Sequence, residues 1–122
     1  MESPHKGKTG LSRIWNALFY SFDGLRAAIK HEDAFRMEAL LSCSLIPIAL
    51  CLEINAISKA LMLATVLLVL IVELLNSAIE AAVDHTSIEQ HPLAKRAKDI
   101  GSAAVLLSLV NAALVWLIIL LG

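Results

Sequence analysis

The sequence predicts an all-α membrane protein with three spanning helices and one amphipathic surface helix. Of its 122 residues, 58% are hydrophobic, which exceeds the apolar share of an average soluble domain. The stretch 100–122 contains no charged side chain. Because a bilayer core is crossed by about 20 apolar helical residues, the chain has room for three crossings and little else. The net charge of -1 does not favour a nucleic-acid partner.

The helices are predicted from the spacing of apolar residues. Residues 1–10 are polar and basic, and we expect them to be flexible. Over 11–31 apolar residues recur at steps of three and four, with aromatic side chains beside Arg and Lys, which is typical of a helix at the membrane–water interface. Gly24 and the charged stretch 30–33 indicate a bend at its end. Spanning helices are then predicted at 34–52, 60–83 and 100–122.

Lysine and arginine are distributed unequally around these spans. Six precede or begin the first span, three lie in the polar segment 84–99, and only Lys59 lies between the first two spans. Because basic residues concentrate on the cytoplasmic side of spanning helices, the N-terminus and the 84–99 segment are predicted to be cytoplasmic. The C-terminus is predicted to lie on the opposite, periplasmic side.

The second span carries a row of polar side chains. At 100° per residue, an arc of about 80° on the helix surface contains Glu73, Asn76, Glu80 and Asp84. The helical rise places Glu73 about 16 Å from Asp84 along the axis. The row therefore climbs from the cytoplasmic interface into the membrane.

Carboxylates at this depth need an explanation, because placing one in the hydrocarbon costs several kcal/mol. One explanation is packing, with Asn76 and Ser77 hydrogen-bonded across an oligomer seam, and for Ser77 this is the preferred interpretation. Glu73 and Glu80 fit packing less well, since amides or hydroxyls would serve at a lower cost. A site where a lipid meets a charged, metal-bound reactant requires carboxylates here. Because three short helices cannot enclose such a site alone, we expect assembly.

Further polar residues fall on the predicted cytoplasmic side. Glu32 and Glu38 lie at the start of the first span, and Lys98 and Asp99 lie at the mouth of the third. The carboxylates of Glu32 and Glu80 can hold Mg²⁺, which prefers one or two protein carboxylates plus phosphate oxygens. Lys98 can neutralise phosphate charge, although a lysine here equally fits snorkelling to the interface. Trp116 is predicted to face lipid or the interface.

Four stretches of the sequence are distinctive. The stretch 73–80 reads Glu-Leu-Leu-Asn-Ser-Ala-Ile-Glu, and 97–105 reads Ala-Lys-Asp-Ile-Gly-Ser-Ala-Ala-Val. Upstream, 20–28 reads Tyr-Ser-Phe-Asp-Gly-Leu-Arg-Ala-Ala and 32–38 reads Glu-Asp-Ala-Phe-Arg-Met-Glu. Together they resemble the prokaryotic diacylglycerol kinase family, and the resemblance covers nearly the whole chain from Arg13 on.

The resemblance implies a homotrimer in the bacterial inner membrane that transfers the γ-phosphate of ATP to diacylglycerol, giving phosphatidate. It implies that Glu73 is the general base and that Glu32 and Glu80 bind the Mg²⁺ that accompanies ATP. The other implied nucleotide contacts are Arg13, Tyr20, Asn76, Asp84, Glu89, Gln90, His91, Lys98 and Asp99. Besides Glu73, the implied contacts to the lipid substrate are Arg13, Arg26, Glu38 and Ser102.

Two alternatives remain open at this point. Related chains phosphorylate undecaprenol, a long polyprenyl alcohol, and no residue pattern decides between the two lipids. A small proton-coupled transporter would also need a membrane carboxylate such as Glu73. It would not need the cytoplasmic cluster that includes Glu80, Asp84 and Lys98, so this alternative is less favoured.

Overall fold

The computed structural model describes residues 10–86 and 91–122, and these form four helices without a strand: α1 (Leu11–His31), α2 (Asp33–Cys51), α3 (Ala56–Thr86) and α4 (Pro92–Leu121). Helices α2, α3 and α4 are each long and apolar enough to cross a membrane. The predicted all-α membrane class is therefore confirmed. The N-terminal segment predicted to be flexible lies outside the described residues except for Gly10.

The chain divides at Glu32 into two units, residues 1–32 and 33–122. The first unit contains α1, whose bounds match the predicted surface helix. Its aromatic and aliphatic side chains, among them Trp15 and Phe19, are exposed, and these two rings pack edge to face. Gly24 lies inside α1 and does not end it. The helix ends at His31, and the backbone of the next residue, Glu32, is extended.

The second unit consists of α2, α3 and α4, and α3 packs against both of its neighbours. Contacts between α3 and α4 join Asp84 to Lys98, Asn76 to Gly101 and Thr65 to Trp116. Residue numbers rise on α4 as they fall on α3, so the two helices are antiparallel. This pairing brings the segment 97–105 of α4 beside the polar row of α3.

Two of the helices extend beyond the predicted spans. Helix α3 continues to Thr86, past the predicted end at 83, and α4 begins at Pro92 rather than at Ile100. Much of the predicted 84–99 loop is therefore helical. Hydropathy locates the part of a helix that suits lipid, whereas capping residues determine where the helix begins. Asn55 caps α3 by accepting from the Ser58 N–H at 2.8 Å, and His91 caps α4 ahead of Pro92.

The buried face of α3 is a single stripe along the middle of the helix, from Met62 to Ser77. Its members recur at steps of three and four: Met62, Thr65, Val66, Val69, Glu73, Asn76 and Ser77. The first part of the stripe is almost entirely apolar, and the last part is polar. The same packing face that stabilises the unit therefore carries the deep end of the predicted site.

Candidate active site

The polar row on α3 passes from a buried end to an exposed end. Glu73 and Asn76 are buried, with only 5% and 7% of their surface accessible to solvent. Glu80 is half-buried and Asp84 is exposed. Helical periodicity alone predicts that these four share a face, but it does not predict this gradient. The gradient arises because α2 and α4 cover the middle of α3 and leave its last turns open.

Two polar contacts link members of the row to their surroundings. The Asn76 side-chain amide donates to Glu80 Oε1 at 3.2 Å, one turn further along α3. The Lys98 ammonium on α4 donates to Asp84 Oδ1 at 3.0 Å. Both partners of that ion pair are well exposed, so it contributes little to stability. Its effect is to hold a cation beside the open end of the row.

Glu38 of α2 adds a second carboxylate near the deep end. Its charge interacts with that of Glu73 across the α2–α3 interface. Its Oε2 atom is buried and has no hydrogen-bond partner in the described part of the chain. Two like charges and an unpaired oxygen are unfavourable in an apolar setting. An arrangement of this kind is more typical of a functional site than of packing.

A cavity of about 300 Å³ opens beside Glu38, between α2, α3 and α4. Val66 and Val69 line it from α3, and Trp116 lines it from α4. Apart from Glu38, Ser42 and the indole, its walls are aliphatic. An apolar cavity with a carboxylate at one edge suits a ligand that has a hydrocarbon part and a polar end.

Trp116 does not simply face lipid or the interface, as the sequence led us to expect. Its indole is half-buried, and its N–H donates to Thr65 Oγ1 at 3.0 Å and to the Met62 carbonyl at 3.3 Å. A buried indole N–H requires an acceptor, and Thr65 supplies one across the α3–α4 interface. Thr65 lies eight residues before Glu73 on the same buried stripe of α3, but nothing in the local sequence indicates that its partner is Trp116.

The remaining predicted site residues of the second unit lie near the open end of α3 and α4, or along α4. Asp99 is exposed and pairs with Lys95 at 2.6 Å, and Ser102 is exposed on α4. The His91 Nδ1 atom accepts from the Leu93 N–H at 3.1 Å, so this side chain also caps α4. Glu89 and Gln90 lie outside the described residues.

Four predicted residues belong to the first unit. Arg13, Tyr20 and Arg26 are exposed on α1, and Arg26 pairs with Asp23 at 3.4 Å. Glu32 follows the last residue of α1, and its backbone N–H donates to the Ala28 carbonyl. These side chains are therefore carried by a different unit from the row on α3.

The donor set of the second unit suits a hard cation. Glu80 and Asp84 offer carboxylate oxygens on successive turns at the open end of the row. Across residues 10–86 and 91–122, no group of three or more His, Cys, Asp or Glu is arranged to hold a metal ion. Mg²⁺ commonly binds through one or two carboxylates and completes its shell with phosphate oxygens and water. The carboxylates present fit this ion.

The fold and the site together define a multi-pass membrane protein in which buried and exposed carboxylates form one row on α3, and the apolar stripe that precedes this row lines a cavity. The comparisons with known proteins agree. Residues 19–120 match the model of the family described as prokaryotic diacylglycerol kinase. The diacylglycerol kinase of Pseudomonas aeruginosa is 55% identical over 120 residues, covering 98% of each chain. The diacylglycerol kinase of Escherichia coli K12 is 49% identical, and the match covers 92% of each chain. That of Helicobacter pylori 26695 is 45% identical, and the match covers 94% of this chain and 89% of the relative.

The chain therefore belongs to the prokaryotic diacylglycerol kinase family. It is a multi-pass bacterial membrane enzyme of the kinase class. The resemblance seen in the sequence is confirmed, and the transporter alternative is set aside.

Proposed function

We propose that the protein transfers the γ-phosphate of ATP to the free hydroxyl of 1,2-diacylglycerol, giving phosphatidate and ADP. The observation that carries this proposal is the row on α3. Its buried carboxylate, Glu73, lies one turn from Val69, which lines the apolar cavity, and its other end is an exposed carboxylate–lysine pair. One end suits a lipid, and the other suits a nucleotide. The names of the relatives support diacylglycerol as the lipid.

Glu73 is proposed as the general base. Its carboxylate accepts the proton of the lipid hydroxyl while that oxygen attacks the γ-phosphorus. The bond from the γ-phosphorus to the bridging oxygen breaks, and ADP leaves with the electron pair. Burial of Glu73 excludes water from the point of attack, which limits hydrolysis of ATP.

Glu80 and Glu32 are proposed to hold Mg²⁺. When bound, the ion neutralises the charge on the phosphate oxygens and helps to align the transferred group. The Asn76 amide orients the Glu80 carboxylate through the 3.2 Å hydrogen bond. Glu80 is half-buried, so it is presented to solvent at the level where a nucleotide can reach it.

The nucleotide is proposed to bind at the open end of α3 and α4. Lys98 offers its ammonium to phosphate charge there, and Asp84 holds that ammonium in place. The further contacts assigned to the nucleotide are Arg13, Tyr20, Asn76, Glu89, Gln90, His91 and Asp99. Arg13, Arg26, Glu38 and Ser102 are assigned to the lipid, with Glu38 at the edge of the cavity.

We further propose that the working unit is a homotrimer. Three buried side-chain oxygens have no hydrogen-bond partner within the described residues: Glu38 Oε2, Asn76 Oδ1 and Ser77 Oγ. Unsatisfied polar atoms are costly at membrane depth, and spanning helices commonly satisfy them across subunit seams. A neighbouring copy is the partner proposed for Ser77.

The protein is proposed to lie in the inner membrane, with the N-terminus and the 84–99 segment in the cytoplasm. The excess of Lys and Arg on these segments supports this orientation. A reporter phosphatase that is active only after export, fused behind Gly122, should be active in intact cells. If the phosphatase were inactive and a cytoplasmic fluorescent reporter at the same position were fluorescent, the C-terminus would be cytoplasmic and the proposed orientation would be wrong.

The lipid substrate is tested directly with purified protein. In mixed micelles with MgATP, dioleoylglycerol should be converted to phosphatidate, and undecaprenol should be a poor substrate at the same mole fraction. Transfer of phosphate from radiolabelled ATP to extractable lipid measures both reactions. A clear preference for undecaprenol would contradict the proposed lipid substrate and identify the protein as a polyprenol kinase.

A further inference from the structure

Gly101 lies at the closest approach of α4 to the polar row. It is buried in α4, and a Cβ built at this position would collide with Oδ1 of Asn76 on α3. No other residue type can occupy position 101 while Asn76 keeps its present orientation. We propose that Gly101 is a positioning residue, and that it acts through Asn76 on the carboxylate of Glu80.

Gly101 is connected to Glu80 through the side-chain amide of Asn76. Asn76 is buried, and its Nδ2 atom donates to Glu80 Oε1 at 3.2 Å. The oxygen of the same amide rests against Gly101. Because the amide is planar, moving its oxygen also moves its nitrogen. A side chain at position 101 therefore turns the Asn76 donor away from Glu80.

The effect of a substitution at position 101 depends on which atom of α3 the added Cβ would displace. The nearest atom to the added Cβ is the end of a side chain and not the α3 backbone. Rotation of Asn76 relieves the collision at a lower cost than separation of the two helices. Alanine is also a better helix former than glycine, so α4 itself is not weakened by Gly101→Ala. The substitution therefore affects the site more than the fold.

A second glycine provides a matched control. Gly24 lies within α1, and a Cβ at that position would meet nothing within 4 Å. Gly24→Ala makes the same chemical change in a helix without touching the row on α3. We expect it to leave the kinetic parameters unchanged.

The inference rests on the proposed role of Glu80 in holding Mg²⁺. Gly101→Ala is expected to raise the apparent KM for MgATP roughly tenfold, because loss of a group that orients a metal ligand typically weakens affinity or activity by that order. The change in kcat should be smaller. In the Asn76→Ala background, where no amide remains to be displaced, Gly101→Ala should cause no further rise.

The outcomes separate the inference from the function on which it rests. If Glu80→Gln raises the KM for MgATP but Gly101→Ala does not, the inference is overturned and the role of Glu80 stands. If Glu80→Gln has no effect, the metal assignment fails, and the Gly101–Asn76 pair is then judged by thermal stability. Additive effects of the two substitutions on melting temperature would overturn the coupling, and non-additive effects would support it.

Assembly of the same variants in detergent serves as the control for folding. If Gly101→Ala alone fails to assemble in detergent but Gly101→Ala with Asn76→Ala assembles, the collision with Asn76 is supported. If neither assembles, the added methyl acts on the packing of α4 as a whole, and the proposal is overturned.

Discussion

Glu73→Gln is expected to reduce kcat by about 10²–10⁴-fold, which is the usual contribution of a general base. The amide has nearly the same size as the carboxylate and can still form hydrogen bonds, so packing of this buried residue should change little. It cannot accept the proton of the lipid hydroxyl. The KM values for MgATP and diacylglycerol should stay near those of the unmodified protein, because the lost interaction is made only as the reaction proceeds. Transfer of labelled phosphate to lipid in mixed micelles is the measurement.

A matched control for this experiment is Glu53→Gln. Glu53 is exposed and lies between α2 and α3, away from the row. We expect this variant to keep full activity. If Glu73→Gln retained most of its kcat, Glu73 would not be the base. If it lost its helical circular dichroism together with its activity, the carboxylate would be needed for packing instead.

Glu80→Gln is expected to produce the second large effect. Removal of this charge should weaken productive use of MgATP by roughly 10²-fold, since a metal held against phosphate supplies several kcal/mol of charge stabilisation. The amide can still interact with Asn76, so the change isolates the charge. Activity titrated against Mg²⁺ at fixed ATP should show a raised requirement for the metal. This pattern would differ from that of Glu73→Gln, where kcat alone falls.

Assembly in detergent distinguishes a metal ligand from a structural residue. Size-exclusion chromatography with light scattering should give the same mass for Glu80→Gln, Glu53→Gln and the unmodified protein. Equal losses of assembly and activity in Glu80→Gln would indicate that the carboxylate holds subunits together. A normal Mg²⁺ requirement in the assembled variant would also contradict the metal assignment.

The polar row on α3 extends from the buried part of the helix bundle to its solvent-exposed end. A membrane lipid and a soluble nucleotide do not share a phase, so their reacting atoms must meet at the boundary. The row on α3 changes from buried at Glu73 to exposed at Asp84. Its hydrogen bonds change in the same direction, from an internal contact between Asn76 and Glu80 to an ion pair with Lys98. The proposed transfer of phosphate takes place where these regions meet.

Much of the secondary structure could be predicted from the sequence. The bounds of α1 follow from its amphipathic spacing, and the three spanning helices follow from hydropathy. The ends of α3 and α4 could not be placed in this way, because a helix can continue beyond its apolar part when its turns are capped. His91 and Pro92 begin α4 eight residues before Ile100. The ion pair of Asp84 and Lys98 depends on these extra turns.

Several features of the candidate site required the packed structure. Trp116 was expected to face lipid or the interface, yet it donates to Thr65. Such a contact joins residues 51 positions apart, and no local pattern specifies it. The apolar cavity beside Glu38 depends in the same way on three helices that are distant along the chain.

The row of carboxylates on one face of an apolar helix was determined by the sequence alone, because spacing along a single helix fixes the angle between its side chains. Which of those side chains is buried, and what covers it, was decided by the tertiary structure. Helix α4 approaches α3 closely at Asn76 because Gly101 has no side chain. The same helix leaves Asp84 open to solvent. Burial arises from contacts between distant segments, and these set the depth at which each member of the row can act.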